Sequence, residues 1–408
     1  MSSNFNKKIL VIVRQRIVGK TNGSSRYLLG ILEYLQECGH EVRVVWPHPA
    51  TFGRWPFLKL SEAVLQFKAL KWRGGLRLGS VVFCTNPRVY FLCALAVLDR
   101  VLLKARLVKE PLTKPAPSAL TAPVSEKEIA FASRQLSGVD CVLFDYVFSL
   151  HFAGSWINDV RSLVVMHDLF SKRGSDFSEL GVMDSYGQIS RTDEMRLLGR
   201  AGGVVAIQEE EAEIVRQALI NSDVGVVPVG VEASNRIQPG RSDTVLFVGS
   251  NAGPNIVGIK WFLDHVWPLL QQHKPDLKLE IAGSCCDLLV STPGVTLLGV
   301  VPDLSPIYDR AGVVISPLTL GSGLKIKLIE GLAAGKAMVV TSTTLQGVPQ
   351  LTRLVRVADS PAEFCNEVLV LLENESLRES VGREALQHIR DHFSPRSAYG
   401  WIDRYVRG

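Results

Sequence analysis

Short apolar runs alternate with amphipathic stretches along the whole chain, the pattern of parallel sheets built from strand–helix–strand units. In the first half the runs predict strands over residues 8–13, 41–46, 80–84, 140–144, 162–166 and 203–207, and a further run, 224–229, closes that half. The segment VGVEASNRIQPGRSDT then breaks the alternation; it is polar, carries Gly, Pro and Ser, and reads as a linker. A second series predicts strands over 244–248, 278–282, 295–298, 312–315, 337–340 and 354–357. Between its first two members, Ile256, Ile259, Leu263, Val266 and Leu270 recur at helical spacing and give one apolar face.

The pattern predicts two Rossmann-like α/β halves, residues 1–228 and 229–394, joined near 229–243. A terminal helix over 395–408 carries Tyr399, Trp401, Ile402 and Tyr405 and is open to packing back on the amino half. A length of 408 residues agrees with two domains. Apolar residues make up 47% and charged residues 21%, which suits a folded enzyme and excludes a disordered chain. The seven cysteines contain no CxxC pair and no regular spacing, against a disulfide framework or a zinc site. MSSNFNKKILVIV lacks the apolar length and cleavage site of a secretory signal, and the apolar run of 89–103 is interrupted by Asp99 and Arg100. The chain therefore reads as cytosolic, with no membrane span.

The segment GSGLKIKLIEGLAAGK lies between the apolar runs GVVISPL and AMVVTS. A glycine turn opening a helix brings backbone N–H groups to an anion at the positive end of the helix dipole, which is the outline of a diphosphate site. Lys325 and Lys327 add cations able to neutralise a departing nucleoside diphosphate. Glu330, one turn into the helix, is placed to accept from two ribose hydroxyls. The same residues also fit two solvated lysines and a surface acid on an ordinary helix, and residue chemistry alone leaves both readings open.

This segment resembles the signature of the retaining group 1 glycosyltransferases. The likeness runs in order through VLFVGS, PNIVGIKWFLDHVWPLL, LEIAGS, VTLLGVVPDLSPIYDRAGVVISPL and GSGLKIKLIEGLAAGKAMVVTS, about 100 residues of the carboxyl half. The resemblance implies the GT-B fold: two Rossmann-like domains whose parallel sheets face a central cleft, with an acceptor-binding amino domain and a donor-binding carboxyl domain. It also implies an NDP-sugar donor held by Gly321, Ser322, Gly323 and Glu330, with Ser250 and Asn251 in the turn after VLFVGS. Glu330 takes the ribose. Many relatives carry a second Glu where this chain has Ser322, and an Arg and a Lys at Ser250 and Asn255; Lys325 or Lys327, with Lys327 the cleaner match, replaces that pair.

In the amino half, VGKTNGSSRY follows the first strand and corresponds to the family's loop beneath the diphosphate, with Asn22 and Gly23 nearest. A Walker loop is excluded because Arg14 stands where its first glycine belongs. Gly23 also fits an ordinary strand-to-helix turn. His167 ends the run SLVVMHD, at the strand edge where open α/β sheets bind ligands, and the resemblance gives it a contact with the donor sugar. No D-x-D triad occurs, so no metal is expected, and no cofactor beyond the NDP-sugar substrate. No GxGxxG follows a predicted strand, against a dinucleotide oxidoreductase.

Charge is uneven. Residues 51–109 hold eleven Lys and Arg against Glu62 and Asp99, a local balance of +9 that leaves −4 for the rest. Here Trp55, Phe57, Leu58, Phe67 and Trp72 interleave with Lys59, Lys68, Lys71 and Arg73, which fits an anionic bilayer surface and equally a helix of the amino domain with a solvated basic face. No recognition motif for nucleic acid accompanies the charge. The function these readings predict is a metal-independent retaining transferase of the cytoplasm, peripheral at the membrane's inner face where the acceptor is lipid-linked, and serving polysaccharide or glycoconjugate synthesis. An NDP-sugar epimerase of the same fold and a catalytically degenerate scaffold remain the alternatives.

Overall fold

The computed structural model describes residues 6–20, 23–105, 107–108, 110–111, 118–172, 189–321 and 324–408. They form two compact units, Met1–Val227 with Trp401–Gly408, and Pro228–Gly400. In the first unit β1 (Lys8–Ile12), β2 (Glu41–Trp46), β4 (Ala69–Trp72), β7 (Cys141–Asp145), β8 (Arg161–Val165), β9 (Gly203–Ala206) and β10 (Asp223–Val226) make one sheet in the order β10-β9-β8-β7-β1-β2-β4. Every neighbouring pair is parallel. Runs such as CVLFD are buried from end to end, as strands covered on both faces must be.

Two expectations fail here. Residues 80–84 do not join the parallel sheet. β6 (Val81–Cys84) instead pairs antiparallel with β3 (Phe57–Lys59) and β5 (Gly75–Leu78) in a separate three-stranded sheet. Gly79, at φ 59°, supplies the left-handed residue that the tight β5–β6 turn needs. Nor is the basic stretch a helix: it builds β3, a single helical turn and β4. The cause is a cross-strand pair, because Trp72 sits opposite Trp46 in the β2–β4 register and their rings stack with centroids 4.3 Å apart. Leu58, Phe67 and Trp72 thus go inward and leave the lysines outside.

The helices of this unit include α1 (Gly23–Glu37), α2 (Pro87–Lys104), α3 (Arg191–Leu198) and α4 (Glu209–Ala218). Among the described residues no helix is long and apolar enough to cross a membrane.

In the second unit β11 (Arg241–Val248), β12 (Lys278–Ala282), β13 (Val295–Gly299), β14 (Ala311–Ser316), β15 (Met338–Val340) and β16 (Arg356–Val357) are ordered β13-β12-β11-β14-β15-β16, all parallel. This is the doubly wound order, with its reversal between β11 and β14. Helix α5 (Gly253–Trp261) runs through a π-turn, Phe262–Val266, into a helix whose second residue is Pro268. Ile259, Val266 and Leu270 of the predicted apolar stripe are buried on the sheet. Helices α6 (Ile326–Ala333), α7 (Pro361–Glu373) and α8 (Glu375–His392) complete the unit.

The segment read as a linker is tied down along the second unit. Lys336 Nζ donates to the Gln238 carbonyl at 2.6 Å, and Arg378 Nε donates to that of Pro239 at 3.1 Å. Burial lowers the Lys336 ammonium to about 8.

The terminal helix α9 (Pro395–Arg407) ends in the first unit. A Cβ on Gly225 would lie 2.3 Å from the Trp401 ring and one on Gly203 2.7 Å from Tyr405, so bare glycine backbone on β9 and β10 seats the helix. Tyr405 Oη donates to the Ser162 carbonyl at 2.9 Å, and His40 pairs with Asp403 at 2.8 Å.

Candidate active site

In the second unit the loops after β11 and β14, the strands flanking the sheet reversal, hold most of the residues singled out in the sequence. Gly321 has φ 120°, a backbone region that side chains rarely adopt, and a Cβ there would meet Pro254 at 3.2 Å. The glycine turn therefore lies against the start of α5. Gly258 repeats the device one turn on, where a Cβ would be 2.7 Å from the Pro317 carbonyl. Behind the same turn, Asn255 Nδ2 donates to the Ser250 carbonyl and hydroxyl at 3.2 and 3.0 Å, and Asn251 N–H donates to Ser284 Oγ at 3.0 Å. Ser250, Asn251 and Gly321 are thus gathered at one sheet edge, whereas Ser322 and Gly323 lie outside the described residues.

Helix α6 carries the acid and one of the lysines. Glu330 is only 7% exposed although it is ionisable, and its Oε2 lies 2.6 Å from Lys327 Nζ. The more accessible Lys327 thus supplies the charge that makes burying this carboxylate tolerable. Lys325 precedes the helix and bends back so that its Nζ donates to the Gly321 carbonyl at 3.1 Å. Gly331, the next residue, lets α6 press onto β15, since a Cβ would lie 2.7 Å from Met338 Sδ.

A cluster not foreseen from the sequence fixes the loop after β14. Thr344 Oγ1 donates to the Ser316 carbonyl at 2.7 Å, and the Thr341 hydroxyl donates to that of Leu318. Ordinary Ser and Thr in an apolar strand carried no signal for this.

In the first unit His167 stands two residues beyond β8, 7% exposed and at φ 61°. Its Nε2 lies 2.7 Å from Oδ1 of Asp145, the fully buried last residue of β7. Tyr146 stacks on the imidazole with centroids 4.0 Å apart, and Tyr27 meets it edge-on at 5.4 Å. Tyr146 is also left-handed, at φ 68°, so two adjacent strand ends hold non-glycine residues in a conformation sparsely adopted except at functional or strained sites.

The network extends to the loop after β1. Gln15 Nε2 donates to Asp145 Oδ1 at 3.1 Å, and Gln15 Oε1 accepts from Ser24 Oγ at 2.9 Å. Gly23 opens α1 beside Ser24 and is exposed; Asn22 lies outside the described residues. Arg14, which excluded a Walker loop, is buried and donates to the carbonyls of Phe148, Ala119 and Ala122, with burial lowering its guanidinium to about 10.

Two buried acids hold the turn that follows His167. Glu194 of α3 accepts from the N–H groups of Phe170 and Ser171, each at 2.8 Å, and Glu211 of α4 accepts from Leu169 N–H at 3.4 Å. Burial, with the Asp168 charge as the next cause, pushes the Glu211 carboxyl up to about 8. Asp145 escaped the sequence reading although it closes an apolar run as His167 does; the strand-edge rule applied to CVLFD would have found it. Glu194 and Glu211 carried no such signal, because acids in a helix's first turn are ordinary.

Residues 242–374, most of the second unit, match the profile of the family glycosyl transferases group 1. An uncharacterized 44.6 kDa protein in the cps region of Klebsiella pneumoniae is 26% identical over 175 residues, 39% of this chain and 44% of that protein, so the match spans less than half the length of this relative. Sucrose-phosphate synthase from Thermosynechococcus elongatus is similar in structure over 98% of both chains, with a TM-score of 0.62 at 14% identity. A TarM variant from S. aureus, in complex with Fondaparinux, alpha-GlcNAc-glycerol and UDP, has a TM-score of 0.64 at 12% identity over 98% of this chain and 100% of its own. The fold is that of the GT-B glycosyltransferases.

Proposed function

We propose that the protein is a retaining glycosyltransferase that moves a sugar from a nucleoside diphosphate to a glycan or lipid-linked acceptor. The observation that carries this reading is Glu330, buried on α6 beside Lys327 and behind the left-handed Gly321, within the span of the family match. A buried carboxylate one turn into the helix suits paired ribose hydroxyls, and the lysines suit the diphosphate.

Transfer with retention follows without a protein nucleophile. The bond from the sugar's anomeric carbon to the diphosphate oxygen breaks, and the acceptor oxygen bonds to that carbon on the same face. The acceptor proton passes to the leaving oxygen. Lys325 and Lys327 neutralise charge growing on the diphosphate, which leaves no step that requires a metal. His167, oriented by Asp145 and clamped by Tyr146, steadies the sugar. Ser322 offers a hydroxyl where many relatives have a carboxylate, so the sugar is held less tightly than the nucleotide.

UDP-sugars head the donor panel, since the similar TarM structure holds UDP. The test is NDP release from each donor with and without lipid-linked and free glycan acceptors, followed by assignment of the product anomer. Release that depends on acceptor, with the donor's anomeric configuration kept, is expected. Epimerised donor without an acceptor, or nucleotide binding with no turnover on any acceptor, overturns the reading in favour of an epimerase or a scaffold.

A further inference from the structure

Helix α2 is inside out. Its buried residue is an acid, Asp99, at 4% exposure, while Phe91 is 65% and Val101 58% exposed. Tyr90, Ala94, Val97 and Val101 succeed one another at four- and three-residue spacing, and Phe91 and Leu98 flank them on the same side of the helix. They form one apolar stripe over roughly a third of the helix circumference, and it faces solvent.

The stripe continues onto the small sheet. Phe57, Phe83 and Leu76 stand opposite one another across β3, β6 and β5 and are all exposed. Trp55 joins the two parts: its ring lies 6.2 Å from that of Phe57, and the guanidinium of Arg100 on α2 sits 5.5 Å over it. Exposed apolar surface on this scale marks an interaction site rather than ordinary surface.

The charge around the patch selects the partner. Arg88, Arg100 and Lys104 on α2, Lys59 and Arg77 on the small sheet, and Lys68 before β4 are exposed, whereas Asp99 is turned inward and Glu62 is the one exposed acid among residues 51–104. A second copy of the chain would set these cations against themselves. An anionic bilayer accepts every feature at once: apolar side chains enter the acyl boundary, Trp55 and Tyr90 suit the interface, and Arg and Lys stems reach headgroup phosphates. We infer that α2 and the exposed face of the β3–β6–β5 sheet form a docking surface for an anionic lipid bilayer.

The test is co-sedimentation of the full chain with phosphatidylcholine vesicles, with and without phosphatidylglycerol, in the absence of any sugar nucleotide. Its outcome is therefore separate from that of the transferase reading. Binding to the anionic vesicles that weakens with salt is expected. Reversing two cations, Arg100→Glu with Lys104→Glu, lowers the partition roughly tenfold or more. Phe91→Ser with Leu98→Ser abolishes binding while circular dichroism and nucleotide affinity stay as in the parent, as exposed positions allow. Parent protein left in the supernatant with both vesicle types, or variants that bind as the parent does, overturns the inference. So does a dimer in sedimentation velocity that Phe91→Ser with Leu98→Ser dissolves, which assigns the patch to a second copy.

Discussion

His167 and Glu330 are each buried beside a charged partner, and the partners divide the chemistry. Asp145 accepts from the imidazole and fixes its plane, as Tyr146 does by stacking. In the proposed transfer Asp145 is a positioning residue: Asp145→Asn is expected to lower kcat roughly tenfold or more, with little change in donor KM and a shifted pH–rate profile. His167→Ala is expected to cost roughly a hundredfold in kcat/KM, read in the same assay. Glu211 gives a prediction on stability. Its folded-state pKa, about 8, lies above the ordinary 4.5, so the folded chain holds a proton that the unfolded chain has released. Its contribution to stability is present in full below about pH 4.5 and is lost as pH rises to about 8. Glu211→Gln is expected to flatten that fall, and melting curves of parent and variant from pH 5 to 8 check it; parallel pH dependences would refute it. His167 and Glu330 were legible because strand edges and glycine turns are read from order along the chain. Their partners were not equally so: Lys327 was foreseen as a cation but not as the neutraliser of Glu330, since spacing does not show which way a long side chain turns.

Among the elements, legibility followed burial. Strands buried on both faces, such as β1, β8 and β14, declare themselves as unbroken apolar runs. β3, β4 and β5 are three or four residues long and carry Lys or Arg, so in the basic stretch the sequence leaves a bilayer surface and a helix equally open. The Trp46–Trp72 stack, set by tertiary register, decides the matter. The aromatic face of α9 was visible, but the glycines that receive it were not, because a missing side chain acquires meaning only beside the ring that fills its place. Gly225→Val is expected to push Trp401 aside at a cost of about 1–3 kcal/mol, lowering the melting temperature by several degrees. An unchanged melting temperature would show that α9 does not depend on this contact.

At the scale of the whole chain, both units carry parallel sheets whose strand order reverses beside the first strand, and in both the candidate site residues lie at the carboxyl edge of the sheet. The second unit was the more legible because its family pattern is local and ordered, and the profile match spans 242–374. The first unit was less so, since its small antiparallel sheet and outward apolar helix depart from simple alternation. The proposed transfer depends on nucleotide recognition by α6 and the glycine turn before it. Its most direct test is a thermal-shift titration of parent and Glu330→Ala protein with a panel of nucleoside diphosphates. One diphosphate is expected to raise the parent's melting temperature by several degrees, saturably, as ligand at about 100 Kd adds roughly 2.7 kcal/mol; the shift is expected to vanish in the variant. No shift with any nucleoside diphosphate, or an equal shift in Glu330→Ala, would contradict the account.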